Sequence, residues 1–409
     1  MKSDPLARPD GAAPFSVPPG IFWLGVVSLL TDLSSEMIFS VLSIFLTVTL
    51  GASSALLGVM EGLADFSSSS LDYVSGYFSD KTGRRKTFAV AGYLFSAISK
   101  AILPFTGSAA WVVVFRVVER LGKSIRGAPR DALMVSLSKK SRRGASFGFH
   151  GAMDKSGAVI GPLVAYFLLS KFGQDLAGFH KLFLVAVIPA LLAVLVMGVF
   201  VREDKNAEAR RDGMEQMFFS VYKKLSPALK SYLKIAAFFS LGYFGFAFLL
   251  LKAYQVGFKT PDIALLYALF NASYVLVSIP VGRLGDRIGR SSLILIEYGL
   301  YGLMCTAFMF AQTKAQTVVL FVVYGMFFAI DESQTKVFVS DLSSTEVRGS
   351  ALGLYNFITG MGYLPASLIV GALWQWVSPQ AAFAWGALVA ICAFFWFLSQ
   401  KAVFVKEVA

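Results

Sequence analysis

The chain has 409 residues, 56% of them hydrophobic and only 15% charged, with a mean hydropathy of +0.66. A soluble domain is about 45–50% apolar and about 25% charged, so a soluble fold is excluded, and the apolar residues are too widely spread for a single anchor. The formal net charge of +12 would suit a nucleic-acid binder, but the basic residues gather in alternate loops, the pattern of a membrane protein, and no nucleic-acid partner is expected.

Residues 1–20 are polar and rich in Pro and Gly. They read as a disordered tail without a cleavable signal. A spanning helix needs roughly 20 mostly apolar residues, and twelve segments meet that length. The first, 21–49, holds "TDLSSEM" with Asp32 and Glu36 four residues apart, hence on one helical face. The second, 55–78, holds Glu61 and Asp65 at the same spacing and ends in "GYFSDKTGRRK". The third, 87–105, carries Lys100 near its end. The fourth, 109–136, contains "FRVVERLGKSIRGAPRD". The fifth, 146–170, begins with His150 and Asp154, four apart and readable as a pair titrating near neutrality or as a packing pair close to the cytoplasmic surface, and continues into "GAVIGP". The sixth is 181–201. Residues 202–229 form a charged linker in which "MEQMFFSVYKKL" reads as a short helix on the inner membrane face or a solvated connector.

The second half repeats the design. Its spans are 230–257, 262–281, 291–312, 315–340, 349–377 and 379–400, followed by a tail, 401–409. Phe238, Phe239, Tyr243, Phe244, Phe246 and Phe248 crowd span seven, as packing residues or in part as a substrate surface. Asp331, Glu332 and Lys336 lie in span ten. Gly76, Asp80, Gly83 and Arg84 match Gly282, Asp286, Gly289 and Arg290 at a constant offset, and "RGASFGFH" from Arg143 parallels "RGSALGLY" from Arg348. The expected fold is therefore an all-α membrane protein of twelve transmembrane helices in two pseudo-symmetric six-helix bundles, 21–201 and 230–400. Lys81, Arg84, Arg85, Lys86, Lys139, Arg142, Arg287 and Arg290 mark the cytoplasmic side, which places both termini and the linker in the cytoplasm of an inner-membrane protein.

Span four poses the functional question. At 100° per residue, Arg116, Glu119, Arg120, Lys123, Arg126, Arg130 and Asp131 fall within about 140° of the helix circumference, with Val114, Val117, Val118, Leu121 and Ile125 opposite. Each charge facing lipid at mid-membrane costs about 2.5–3.5 kcal/mol. The stripe must meet water or opposite charge. Asp32 is expected at the depth of Lys123, and Glu36 near Arg120 or Arg116. Two readings stand. Arg126, Arg130 and Asp131 read as ion pairs holding the bundle together. Asp32, Glu36, Arg116, Glu119, Arg120 and Lys123, with His150 and Asp154, are the candidates for proton coupling or substrate binding.

The G-x-x-x-D-K-x-G-R-R loop after span two, its copy after span eight and "GAVIGP" from Gly157 to Pro162 resemble the major facilitator superfamily. "TDLSSEM" and "ERLGKSIRGAPRDAL" resemble a bacterial, antiporter-like subgroup. The copy departs at Ser291, where a basic residue is usual, and "GAVIGP" lacks the motif's final glycines. The resemblance implies alternating access about a central cavity lined by spans 1, 4, 7 and 10. In the loops, Gly76 is expected to let two helices pack closely and Gly83 to permit a tight turn. Asp80 is expected at the helix N-terminus near Gly349, and Asp286 at the one near Gly144, forming a cytoplasmic gate. If the loops only set topology, no such contact is needed.

The expected activity is proton-coupled export of a small organic anion or zwitterion by a monomer in the lipid bilayer. No phosphate-binding loop or other cofactor motif appears, so a proton gradient is the expected energy source. Broad efflux of amphipathic drugs is the alternative. Divalent-metal export needs converging ligands. His150 and His180 are the only histidines, Cys305 and Cys392 lack flanking ligands, and no metal site is expected. No nucleophile–base motif supports an enzyme, and no sizeable soluble domain supports a membrane sensor or scaffold.

Overall fold

In the computed structural model, residues 17–139, 142–203, 222–344 and 347–408 are described. The helices are α1 (Pro19–Ile44, prolonged by a π turn, Phe45–Thr49), α2 (Ser54–Thr82), α3 (Arg85–Ile102), α4 (Ala109–Leu137), α5 (Arg143–Phe172) and α6 (Leu176–Val199). The second half comprises α7 (Pro227–Ser240), α8 (Ala247–Gln255), α9 (Thr260–Ile288), α10 (Arg290–Phe310), α11 (Lys314–Asp341), α12 (Arg348–Trp376) and α13 (Pro379–Val408). Span seven is α7 and α8 together, so twelve crossings result. The N-terminal tail and most of the linker, including nearly all of its amphipathic stretch, lie outside the described residues. The residues expected as a C-terminal tail continue α13.

Side chains capture the backbone N–H groups that open several helices. Ser53 accepts from Leu56 at the start of α2, Asp175 from Gly178 at α6, and Thr313 with Gln316 forms a capping box on α11. All three caps lie at the face opposite the basic loops. Among the described residues, nine helices are long and apolar enough to cross a bilayer. The other three crossings are α2 and α4, which carry charge, and the divided α7–α8. Leu276, Leu303 and Leu195 project outward at more than half exposure, as a lipid-facing perimeter requires.

The sequence repeat maps onto equivalent places. One glycine-rich loop joins α2 to α3, its copy joins α9 to α10, and the second repeated motif opens α5 and α12. Within the first half, α1 packs along α5 and α6, while α2 and α3 flank α4. Gly157 makes the α1–α5 approach possible: a Cβ there would lie 2.5 Å from the Leu29 carbonyl and 2.9 Å from the Leu33 nitrogen. The "GAVIGP" stretch thus acts here as a helix-packing surface. The second half is filled with rings, among them the fully buried Tyr298, Tyr301, Phe308, Phe321, Phe327 and Phe338.

The halves meet mainly through α2 against α12 and α5 against α9. Away from the basic loops the contact is tight. A Cβ on Gly58 would fall 2.3 Å from the Ser367 carbonyl, Gln375 accepts from the Ser54 nitrogen at 3.0 Å, and Gln174 accepts from that of Thr260 at 3.2 Å. Toward the basic loops, Gly144, Gly148 and Gly151 of α5 and Gly282 of α9 face open space among the described residues.

Candidate functional site

Between the halves lies a cavity of about 610 Å³. It reaches from Leu42 and Leu250 toward the basic face as far as Arg130 and His150. Its lining comes from α1, α2, α4 and α5 on one side and from the α7–α8 junction, α9, α11 and α12 on the other. Tyr93 of α3 completes it.

Asp32, Glu36, Arg116, Arg120, Lys123, Arg126, Arg130, His150 and Asp154 all line this cavity. Val114, on the far side of α4, is 47% exposed at the perimeter. Glu119 does not line the cavity, though it stays 3.9 Å from Arg116. It is buried against α3, where Ser96 donates to it at 3.3 Å. Lys100, expected near the end of a span, has no exposed surface and donates to Ser35 at 2.8 Å. Asp131 pairs with its neighbour Arg130 at 2.9 Å.

The ion pairs differ from the expected ones. Arg116 pairs with Glu61 at 3.0 Å and Arg120 with Asp65 at 3.4 Å, so both arginines take partners from α2 rather than Glu36 of α1. The reason is packing: α2 runs parallel to α4 and beside it, and a four-residue step on each matches the two pairs, whereas α1 leans on α5. Arg116 also stacks its guanidinium 4.1 Å from the Phe39 ring centroid. Glu36 instead faces the Tyr267 hydroxyl across the cavity.

Asp32 stands beside Asp154 with Lys123 near, but no ion pair joins Asp32 to Lys123 among the described residues. The expected His150–Asp154 pair is also absent there. Asp154 turns to α1, accepting from the Ser28 hydroxyl at 2.6 Å, with Lys155 at 3.7 Å. That leaves His150 Nε2 buried without a partner.

The opposite wall is aromatic. Span seven breaks between Ser240 and Ala247, bringing Tyr243 and Phe246 into the lining, while Phe239, Phe244 and Phe248 stay in the core and Phe238 packs on Trp396. The freed backbone is satisfied by side chains of the same half. Tyr301 donates to the Gly242 carbonyl at 3.0 Å and accepts from the Phe244 nitrogen at 3.2 Å, and Trp385 donates to the Leu241 carbonyl at 2.8 Å. Irregular backbone at membrane depth survives only with such partners. Asp331 accepts from Tyr243 at 3.3 Å. Behind it sits Glu297, 1% exposed, accepting from Thr335 at 3.2 Å. Sequence reasoning missed Glu297; its signal was a lone acid inside the apolar run "SLILIEYGL".

The loop motifs fare differently. Gly83 adopts φ +66°, the left-handed conformation expected of its tight turn, and Gly289 has φ +83°. Arg84 is exposed. The surroundings of Gly76 and the Asp80 side chain lie outside the described residues. Among the described residues Asp286 makes no contact at the start of α5 near Gly144. It binds Arg290 at 3.0 Å, and Arg290 also reaches Asp341 at 2.8 Å and Gln334 at 3.0 Å, a knot within one half. Gly282, like Gly144, meets open space. The departure of Asp286 follows from the separation of the halves toward the basic face.

Two bundles around a polar cavity with a sealed opposite end define a membrane transporter rather than an enzyme. The family model described as Major Facilitator Superfamily matches residues 24–259 and 235–407, and the chain belongs to that family. An uncharacterized MFS-type transporter of Methanocaldococcus jannaschii is 36% identical over 91% of this chain and 92% of its own length. The multidrug resistance protein MdtH of Aeromonas hydrophila is 23% identical over 88% of this chain and 89% of its own. Among solved structures, a mutant of the nucleoside transporter NupG superposes with a TM-score of 0.77 at 14% identity, covering 95% of this chain and 100% of that one. A peptide transporter POT mutant gives 0.76 at 13%, covering 97% and 96%. These likenesses agree with the twelve-helix, two-bundle fold.

Proposed function

We propose that the protein exports a small organic anion or zwitterion across the cytoplasmic membrane by alternating access, exchanging it for protons. The observation that carries this reading is the pairing in the cavity wall: Asp32 beside Asp154, with Lys123 and Lys155 close by. Carboxyls that trade a proton for a cationic partner, and cations that trade a carboxylate for a substrate anion, are the elements of coupling. The basic loops face the cytoplasm in this reading, as do both termini, so the described state is open to the cytoplasm, with Asp286 held by Arg290 of its own half. The transporter acts as a monomer and needs no cofactor beyond the proton gradient.

The printed name of the Aeromonas relative, a multidrug resistance protein, favours a second reading, broad efflux of amphipathic compounds with the same acids carrying protons. Metal export is disfavoured: among the described residues no three His, Cys, Asp or Glu side chains converge. Purified protein in liposomes, loaded with candidate anions or drugs and given an imposed pH gradient, tests both. Gradient-driven flux that is lost in Asp32→Asn supports proton coupling. Flux indifferent to the gradient in the wild type rejects it.

A further inference from the structure

Most cations of the cavity wall have a carboxylate: Arg116, Arg120, Arg130 and Lys155 each have one within 4 Å. Lys123 and Arg126 have none among the described residues. They lie one helical turn apart on α4 and both line the cavity. Lys123 is accessible from it. Arg126 is only 4% exposed, stacks on the Tyr93 ring at 4.9 Å, and its Nη1 finds no acceptor. The unpartnered His150 Nε2 belongs to the same lining. A buried guanidinium donor without an acceptor is costly, and an oxyanion entering beside Lys123 would remove that cost with charge-assisted hydrogen bonds.

Across the cavity the wall is a continuous run of rings. Phe246 lies 4.6 Å from Phe270, Phe270 lies 5.6 Å from Phe328, and Phe328 lies 5.2 Å from Tyr274, centroid to centroid. Offset and edge-on packing of this kind accepts another ring. The two walls are contributed by different halves, so one molecule touching both bridges them.

We infer that the cavity binds an aromatic anion, its oxyanion held by Lys123 and Arg126 and its ring seated on the Phe246–Phe270–Phe328 surface, the Tyr274 face being covered by the Lys155 ammonium at 4.9 Å. This rests on the transport reading above and narrows its substrate class. Bulky aliphatic anions and aromatic amines are disfavoured, the first by the ring surface and the second by Lys123 and Arg126.

Thermal unfolding of the purified full chain tests the assignment with four probes at equal concentration: benzoate, benzamide, cyclohexanecarboxylate and benzylamine. Benzoate is expected to raise the transition temperature most. Lys123→Gln should erase the advantage of benzoate over benzamide. Phe270→Leu should erase its advantage over cyclohexanecarboxylate. Equal stabilisation by benzamide, greater stabilisation by benzylamine, or no response of the wild type to any probe overturns the inference. If Lys123→Gln folds poorly, Lys123→Arg must retain the benzoate preference, and its loss there counts against the assignment. Benzoate binding without gradient-driven flux would leave this site standing and remove proton-coupled transport. Flux of other anions without benzoate binding would do the reverse.

Discussion

Arg116 and Lys123 stand two turns apart on one helix yet have opposite surroundings. Arg116 is buried with Glu61 at 3.0 Å, while Lys123 meets the cavity with Asp32 near but no carboxylate within 4 Å among the described residues. Removing one member of a buried pair strands a charge, at about 3–5 kcal/mol. Glu61→Gln should therefore lower stability by up to that amount in detergent, Glu119 remaining 3.9 Å from Arg116, and Glu61→Met combined with Arg116→Met should recover most of the loss. Unfolding by heat or denaturant reads both, and a double variant no better than the single would refute the pairing. Lys123→Gln should change stability by less than about 1 kcal/mol. The charged stripe itself was legible in the sequence, because 100° steps place its members on one face whatever the neighbours are. The partners were not, because they depend on which helix lies alongside. Glu36 and Glu61 each had the right spacing, and only the packing of α2 against α4 chose between them.

At the scale of elements, the twelve crossings and their internal repeat could be read directly, since hydropathy and the recurring glycine-rich loop survive without any tertiary knowledge. The division of span seven could not. Between Lys234 and Lys252 the span carries no charge and is almost wholly apolar, and a hydropathy window does not register six residues leaving helical geometry. Gly242 and Gly245 were the only local sign. What holds the break open is remote in sequence: the Tyr301 hydroxyl bridges the Gly242 carbonyl and the Phe244 nitrogen. Tyr301→Phe keeps the ring packing and deletes both bonds. It should cost about 1–3 kcal/mol, measured as a lowered unfolding transition, with Trp385→Phe giving a smaller loss because it removes one bond. An unchanged transition in Tyr301→Phe would mean that the break is maintained by packing alone.

For the whole molecule, the decisive contact is the one between halves at the end away from the basic loops. Gly58 presses on the Ser367 carbonyl with no room for a side chain. Gly58→Leu should wedge that end apart, and overpacking of about 1–3 kcal/mol amounts to roughly a 5–150-fold shift in population. A Gly148→Cys reporter on α5, in a Cys392→Ser background, should then react more slowly with a charged maleimide than it does without the wedge. Equal or faster labelling would show that the halves do not rock about this contact.

The separation of Glu61 from Arg116 by 55 positions bears on how the protein is made. Ribosomes add about 5–20 residues per second, so α2 emerges several seconds before the cation that neutralises it. During that interval an acidic segment has no partner, and it gains little by entering lipid alone. The nascent chain is therefore expected to stay at the insertion machinery until α4 arrives, the two then leaving as a pair. Glycosylation mapping of chains truncated before and after residue 137 should find α2 stably integrated only in the longer ones.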